Sequence, residues 1–504
     1  VSFKRNILAS YASQIYVTLI GILILPVYLK YMGPEAYGLV GFFTTLQAWF
    51  GLLDMGLTPM VARETARFKG GATNALSYRR LLRALQIIFL GIALLGGGAM
   101  VGLSEWIANN WLNVKTLSVA QVELALQLMA VGIAFRWIAG LYRGCITGSE
   151  ELVWLGGFNA LIATFRFVFV LPVLIWVGNS PAVFFTYQLL VAMFELCGLA
   201  SHAHRSFPLF PKRERLGWTP TLLMKPLKPL IRFSLTIAFT SSIWIFVTQA
   251  DKLVLSKILP LADYGYFTLA VLAASGVMMI TNPISSALLP RMARLHAEGD
   301  EMGLIRLYRN ATQLVAAIAL PACLVLAFFA EQVLWVWTGD SHAAMQAAPV
   351  LRLYAIGYGF LALSALPYYL QFAKGDLRLH LVGNILFVVF LIPSMIWAVW
   401  RHGAIGAGYA WLCVNATYFL IWIPFVHRRF RSGLHWQWLL HDLGGIAIFG
   451  TLVASLLFIL ISWPQERQVA LVLILFSGAL LCLTSISASS SLRKRARNFL
   501  LKNS

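Results

Sequence analysis

Acidic residues are scarce: Asp and Glu number 19 against 39 Lys and Arg in 504 residues, and charged residues of all kinds make up only 12%. A soluble globular chain carries about 25% charge, so a water-exposed enzyme or binding domain of this length is excluded. No polar stretch is long enough to form a soluble domain of its own. The five cysteines, Cys145, Cys197, Cys323, Cys413 and Cys482, stand singly without a CxxC spacing. That excludes a disulfide framework and a cysteine metal site, and leaves them as small apolar packing residues. His202 and His204 lie two apart, a spacing that does not share a helical face, so they form no metal-ligand pair. No Walker A stretch occurs, and ATP hydrolysis by that route has no support in the chain.

What fills the sequence instead is hydrocarbon: 60% hydrophobic residues and a mean hydropathy of +0.77. About fourteen apolar stretches, each long enough to cross a ~30 Å hydrocarbon layer as a helix, run from Ile7 almost to the end. The expected segments are 7–30, 37–60, 81–103, 120–142, 153–178, 182–203, 233–259, 264–289, 306–330, 349–372, 381–400, 405–426, 442–462 and 468–487. The expected fold class is an all-α polytopic membrane protein. The first stretch is span-length and leads directly into a second, so it reads as a membrane helix and not as a cleavable signal peptide.

Cytoplasmic loops retain Lys and Arg, and here the alternate loops hold nearly all of them. Arg63, Arg67, Lys69, Arg79, Arg80 and Arg83 follow the second span, and Arg143 is counted with the loop after the fourth. Arg428, Arg429 and Arg431 follow the twelfth, while the opposite loops hold only Lys30, Lys115, Lys257, Arg401 and Arg467. Both termini are therefore expected in the cytoplasm. The +20 net charge is then an insertion signal that also attracts anionic membrane lipids, with no nucleic-acid partner implied. The tail SSSLRKRARNFLLKNS reads as a weak amphipathic surface helix. Trp106, Trp111, Trp176, Trp335, Trp337, Trp397, Trp400 and Trp463 fall near the expected outer interface, where an amphipathic ring belongs.

The chain also repeats. YMGPEAYGLVGF at 31–42 aligns with ILPLADYGYFTL at 258–269, matching Glu35, Tyr37 and Gly38 to Asp263, Tyr264 and Gly265. TPMVAR at 58–63 faces LPRMAR at 289–294, and Gly157 and Asn159 are echoed by Gly383 and Asn384. Six spans separate the copies; because six is even, the halves are parallel repeats related by an axis along the membrane normal. The expected organisation is an N-terminal lobe at 1–203, a basic proline-bearing linker at 204–232, a C-terminal lobe at 233–427, and a C-terminal hairpin with a basic tail at 428–504. Two six-helix lobes are the plan of a transporter that alternates access around a central site.

The stretch YLKYMGPEAYGLVGFFTTLQAWFGLLDMGLTPMVARETAR resembles the N-terminal region of the polysaccharide-biosynthesis flippases. These form the O-antigen (Wzx-type) branch of the multidrug/oligosaccharidyl-lipid/polysaccharide exporter superfamily. VTQADKLVLSKILPLADYGYFTLA is similar to the same family's mid-chain signature. The resemblance covers at least the first twelve spans, with DMGL and ADYG its most specific parts. It implies a fourteen-helix V-shaped fold in the bacterial inner membrane. The implied activity is moving an undecaprenyl-pyrophosphate-linked oligosaccharide from the cytoplasmic to the periplasmic leaflet, driven by a gradient of H+ or Na+ and without any other cofactor. Other polysaccharide-assembly proteins are implied partners.

Seven ionisable residues lie within or beside expected spans: Asp54, Arg136, Arg166, Glu195, Asp251, Lys252 and Arg352. An isolated charge at a helix centre costs on the order of 3 kcal/mol on insertion scales, so several together indicate a hydrated cavity or internal pairing. A guanidinium presents a planar fork suited to phosphate oxygens, which makes Arg136 and Arg166 the first candidates for a pyrophosphate or acidic sugar. The alternative is that Arg166 pairs with Glu195 on the adjoining span while Arg136 snorkels to the cytoplasmic face. Lys252 and Arg352 are further substrate candidates. Arg352, a few residues inside the outer end of its span, is better suited to snorkelling, and Lys252 and Asp251 are equally suited to a structural pair between lobes, their side chains leaving the helix about 100° apart. Asp54, Glu195 and Asp251 are the coupling or gating candidates, since such carboxylates bind a coupling cation or hydrogen-bond a neighbouring helix end.

Three rival functions share the hydropathy. A glycan polymerase or ligase would need a large outer loop with an active site, and the outer loops here are short, without paired carboxylates or an activated nucleophile. A multidrug exporter of the superfamily usually has an acidic cavity, whereas four intramembrane cations against three acids favour an anionic cargo. A lipid II flippase is nearer still, and the opening motif points to the O-antigen branch instead.

Overall fold

The computed structural model describes residues 3–205, 207 and 228–494. Most of the expected linker at 204–232, and the end of the basic tail, lie outside the described residues. Among the described residues every regular element is helical, and twelve helical segments are long and apolar enough to cross a membrane. One of the twelve, Arg378–Phe430, runs 53 residues and contains a backbone break at Gly403, whose φ of +58° only glycine adopts easily. The expectation of about fourteen spans divides that segment and adds the 31-residue helix Lys228–Ile258. Side chains such as Leu94, Leu95, Ile459, Val472 and Leu475 stand exposed on these helices, which suits a hydrocarbon surround. The protein is a multi-pass membrane protein.

Two compact units divide the chain, Val1–Gly265 and Tyr266–Ser504. The first unit opens with α1 (Phe3–Met32), α2 (Pro34–Phe50), α3 (Leu57–Lys69) and α4 (Ala75–Gly102). It continues with α5 (Val119–Gly148), α6 (Leu152–Ala163), α7 (Val170–Trp176), α8 (Pro181–Arg205) and α9 (Lys228–Ile258). Helix α10 (Leu261–Ala297) starts in the first unit and continues in the second.

The expected continuous segment 37–60 is broken in the structure. After Asp54 the backbone turns left-handed at Met55 and Gly56 (φ +44° and +71°) before α3 begins. The Asp54 carboxylate accepts hydrogen bonds from the Thr58 amide (3.2 Å) and hydroxyl (2.6 Å), capping the first turn of α3. At the other end of α2, buried Glu35 accepts from the amides of Lys115, Thr116 and Leu117 at 2.8–2.9 Å, pinning the loop that leads into α5. Next to it the two copies of the repeated motif touch. A methyl group on Gly38 would overlap the carbonyl oxygen of Leu261, and one on Gly265 would come within 2.7 Å of the Pro34 carbonyl. Tyr264, buried beside them, shares a 3.0 Å hydrogen bond with Thr45.

The second unit contains α11 (Glu301–Phe328), α12 (Ala330–Thr338), α13 (Ser341–Ala373), α14 (Arg378–Thr417), α15 (Ile423–Phe430), α16 (Gly445–Leu460) and α17 (Arg467–Ala488). The closing hairpin of α16 and α17 is fixed to α11 by an apolar cluster of Phe329, Ala454, Leu457 and Leu481 and by a buried polar network. Asp442 accepts from Arg309 Nε (2.7 Å) and Nη2 (3.1 Å) and from Gln313 Nε2 (2.7 Å). The Gln313 carbonyl oxygen in turn accepts from the Ser489 hydroxyl (2.7 Å) and the Ser491 amide (2.9 Å) at the end of α17.

Candidate functional site

Arg136 and Arg143 lie on α5 seven residues apart, as do Gln188 and Glu195 on α8. Seven residues are nearly two full turns, so each pair lies on one helical face. These helices pack together with the faces turned inward to meet the segment between α6 and α7. There the chain opens into a wider π-helical turn, Thr164–Val168, with Arg166 at its centre. Such turns are rare and recur at functional sites. Its carbonyls are held by side chains: Phe165 oxygen accepts from Tyr187 hydroxyl (2.9 Å), Arg166 oxygen from Gln188 Nε2 (2.9 Å) and Phe167 oxygen from Tyr28 hydroxyl (2.9 Å).

At the meeting point Glu195, 5% exposed, accepts from two guanidinium groups, Arg143 Nη2 at 2.6 Å on one oxygen and Arg166 Nη2 at 2.9 Å on the other. Arg143 also donates to the Asn159 side-chain oxygen at 2.7 Å. Among the described residues Arg136 donates to the neutral side chains of Gln47 (3.2 Å) and Gln188 (3.3 Å) and lies over the face of Phe43, whose centroid is 5.2 Å away. The buried Nε atoms of Arg136 and Arg166 have no hydrogen-bond partner among the described residues. A cavity of about 210 Å³ opens on this cluster, lined by Ser13 and Gln14 of α1 together with Arg143, Asn159, Arg166 and Glu195. It lies wholly within the first unit. Two guanidinium groups on its wall and that of Arg136 behind them, against one carboxylate, leave the site positive, so it suits an anion.

The remaining sequence candidates lie elsewhere. Asp54 is half-buried at the α2–α3 break with its carboxylate committed to Thr58. Lys252 curls back along its own helix, its ammonium 2.6 Å from the Thr248 carbonyl and 3.4 Å from the Asp251 carboxylate. The buried Asp251 also accepts from the Lys252 amide at 2.8 Å. The two side chains thus meet each other despite leaving the helix in different directions, because the lysine stem is long enough to bend back. Arg352 is exposed on α13 in the second unit. Of the seven candidates, Arg166 and Glu195 line the cavity, with Arg136 behind them.

Sequence reasoning assigns no site role to Arg143, Gln188 or Asn159, and Asn159 enters it only as part of the internal repeat. Arg143 is near a helix end and was counted among loop charges, yet its seven-residue offset from Arg136 places it on the same face as a membrane arginine. That spacing, repeated by Gln188 and Glu195, is the signal that could have found the site.

The Polysaccharide biosynthesis protein family model matches residues 3–296. The chain belongs to that family. A second family model, Lipid II flippase MurJ, matches residues 190–477. To this polysaccharide-biosynthesis family member, a Shigella flexneri protein described as a candidate O-antigen transporter is 20% identical over 397 residues. That match covers 78% of this chain and 90% of the relative. Among solved structures, the lipid II flippase MurJ in an inward closed conformation is similar at a TM-score of 0.73 and 13% identity, covering 95% of this chain and 98% of that one. An inward-facing multidrug-resistance MATE transporter follows at 0.64 and 15%, covering 84% and 95%. Both matched families are transporters or flippases and not enzymes, so this family member is a transporter for a lipid-linked polysaccharide or a related cargo.

Proposed function

We propose that the protein flips an undecaprenyl-pyrophosphate-linked oligosaccharide, the repeat unit of O-antigen or another surface polysaccharide, from the cytoplasmic to the periplasmic leaflet of the bacterial inner membrane. The pyrophosphate is gripped by Arg143, Arg166 and Arg136 of the first unit during passage, and a gradient of H+ or Na+ drives the cycle. The observation that carries this reading is the cavity lined by Arg143 and Arg166, where the buried Arg166 Nε has no hydrogen-bond partner among the described residues. A fork with a free Nε–H beside its Nη–H groups is the donor set that binds a phosphate through two oxygens. The one-sided Lys and Arg distribution supports the inner membrane with both termini in the cytoplasm. The test is loss and rescue of surface polysaccharide in a deletion strain, with lipid-linked repeat units tracked by leaflet. Accumulation on the inner face upon deletion supports the reading; equal distribution between leaflets overturns it.

A second reading, a lipid II-type cargo, is favoured by the MurJ family match over residues 190–477. Both cargoes are polyprenyl pyrophosphates, and the same deletion separates them. Loss of cell-wall precursor in the outer leaflet, with surface polysaccharide intact, would assign lipid II.

A further inference from the structure

We infer that Glu195 is a built-in competitor for the cargo's phosphates, occupying the two guanidinium groups in the empty site and reclaiming them to expel the cargo. The inference rests on the arginine-cavity reading and adds a specific role to one residue within it. Each oxygen of Glu195 takes one nitrogen of a different arginine, at 2.6 and 2.9 Å. A carboxylate bridging two forks in this way satisfies neither, and the Arg166 Nε is left over. A pyrophosphate diester offers non-bridging oxygens on two phosphorus atoms and can engage both forks with two donors each. The cavity in front of them, about 210 Å³, has room for several waters that an incoming phosphate would displace.

The charges also balance. The groups facing Glu195 are Arg143 and Arg136 from α5 and Arg166 from the π-helical turn; α6 contributes only the neutral Asn159. On its own helix, Cys197 and Tyr187 are uncharged thiol and phenol groups, and the nearest side chain that can carry positive charge, His202, is engaged with Glu151. The two guanidinium groups on the cavity and Arg136 behind them, minus one carboxylate, give a charge of +2, equal and opposite to a pyrophosphate diester. A phosphate monoanion or a neutral sugar would leave the site unbalanced. Without the carboxylate, the cargo would meet three uncompensated cations and dissociate slowly. With it, the empty site has an internal ligand always at hand, and such a tethered competitor acts at high effective concentration.

The experiment uses the purified full-length protein and a short-chain prenyl pyrophosphate ester of a single sugar as probe. Glu195→Gln is expected to bind the probe at least tenfold more tightly than wild type, and to show a larger rise in melting temperature on probe addition. In the deletion strain it is expected to restore surface polysaccharide more slowly than wild type. Glu195→Asp, too short to bridge both arginines, should give a smaller gain in affinity, and it serves as the readout if the glutamine variant does not fold. The gain should shrink when Arg166→Gln is already present, because only one guanidinium then remains to be released. Unchanged or weaker binding by the Glu195 variants overturns the inference and leaves the cavity reading standing. Absence of probe binding by wild type and variants alike overturns the cavity reading itself.

Discussion

At the scale of single residues, the first unit turns on how an arginine spends its donors. Arg166 is legible in the sequence because a guanidinium in an apolar run has to be explained, and Glu195 for the same reason. Arg143 was not legible by that rule, since hydropathy treats an arginine near a helix end as an orientation signal. Lysine keeps the charge but loses the planar fork. Arg166→Lys is therefore expected to lower polysaccharide rescue by about tenfold or more at matched expression, with little change in melting temperature, and full rescue would remove the fork from the mechanism. In the second unit, Asp442 serves stability. Removing its charge strands the partly buried Arg309 beside Gln313, and breaking a buried pair costs about 3–5 kcal/mol. Asp442→Asn should lower the melting temperature well beyond the change seen for Arg166→Lys.

At the scale of elements, hydropathy located the membrane helices because a bilayer leaves the backbone few options other than a helix. It did not reveal the interruptions, which are set by partners distant in sequence. The π-helical turn at Thr164–Val168 depends on Tyr28, Tyr187 and Gln188, and no local pattern announces it. Deleting Val168 would restore an ordinary helical register, turning the cavity-side residues by about 100° relative to α7. Transport should be abolished while the protein still inserts and purifies as a folded species; retained transport would show that the turn is incidental. The break at Asp54 was more accessible, since an Asp followed by Met-Gly and a Thr four residues on is a capping arrangement. Asp54→Asn preserves an acceptor for Thr58 and should rescue nearly as well as wild type, whereas Asp54→Ala loses the cap and about 1 kcal/mol. If the asparagine variant is as defective as a charge loss in the cavity, Asp54 is a coupling site and not a cap.

At the scale of the whole molecule, charge distribution provides a statement that hydropathy cannot. A reporter that is active only in the cytoplasm, fused after the C-terminus, should be active, and the same reporter placed in the loop after Leu103 should be silent. The reverse pattern would invert the orientation. The duplication was visible as two short tyrosine-glycine motifs, but nothing in a linear comparison of the halves indicated that the two copies lie against each other within the first unit.

That contact gives the duplication a lasting consequence. With Gly38 resting on Leu261 and Gly265 on Pro34, each motif has become part of the other's surroundings, and neither can change alone. An alanine in one copy has to be answered by a shift in the other's backbone, so the two segments evolve as a single inherited unit although more than two hundred residues separate them.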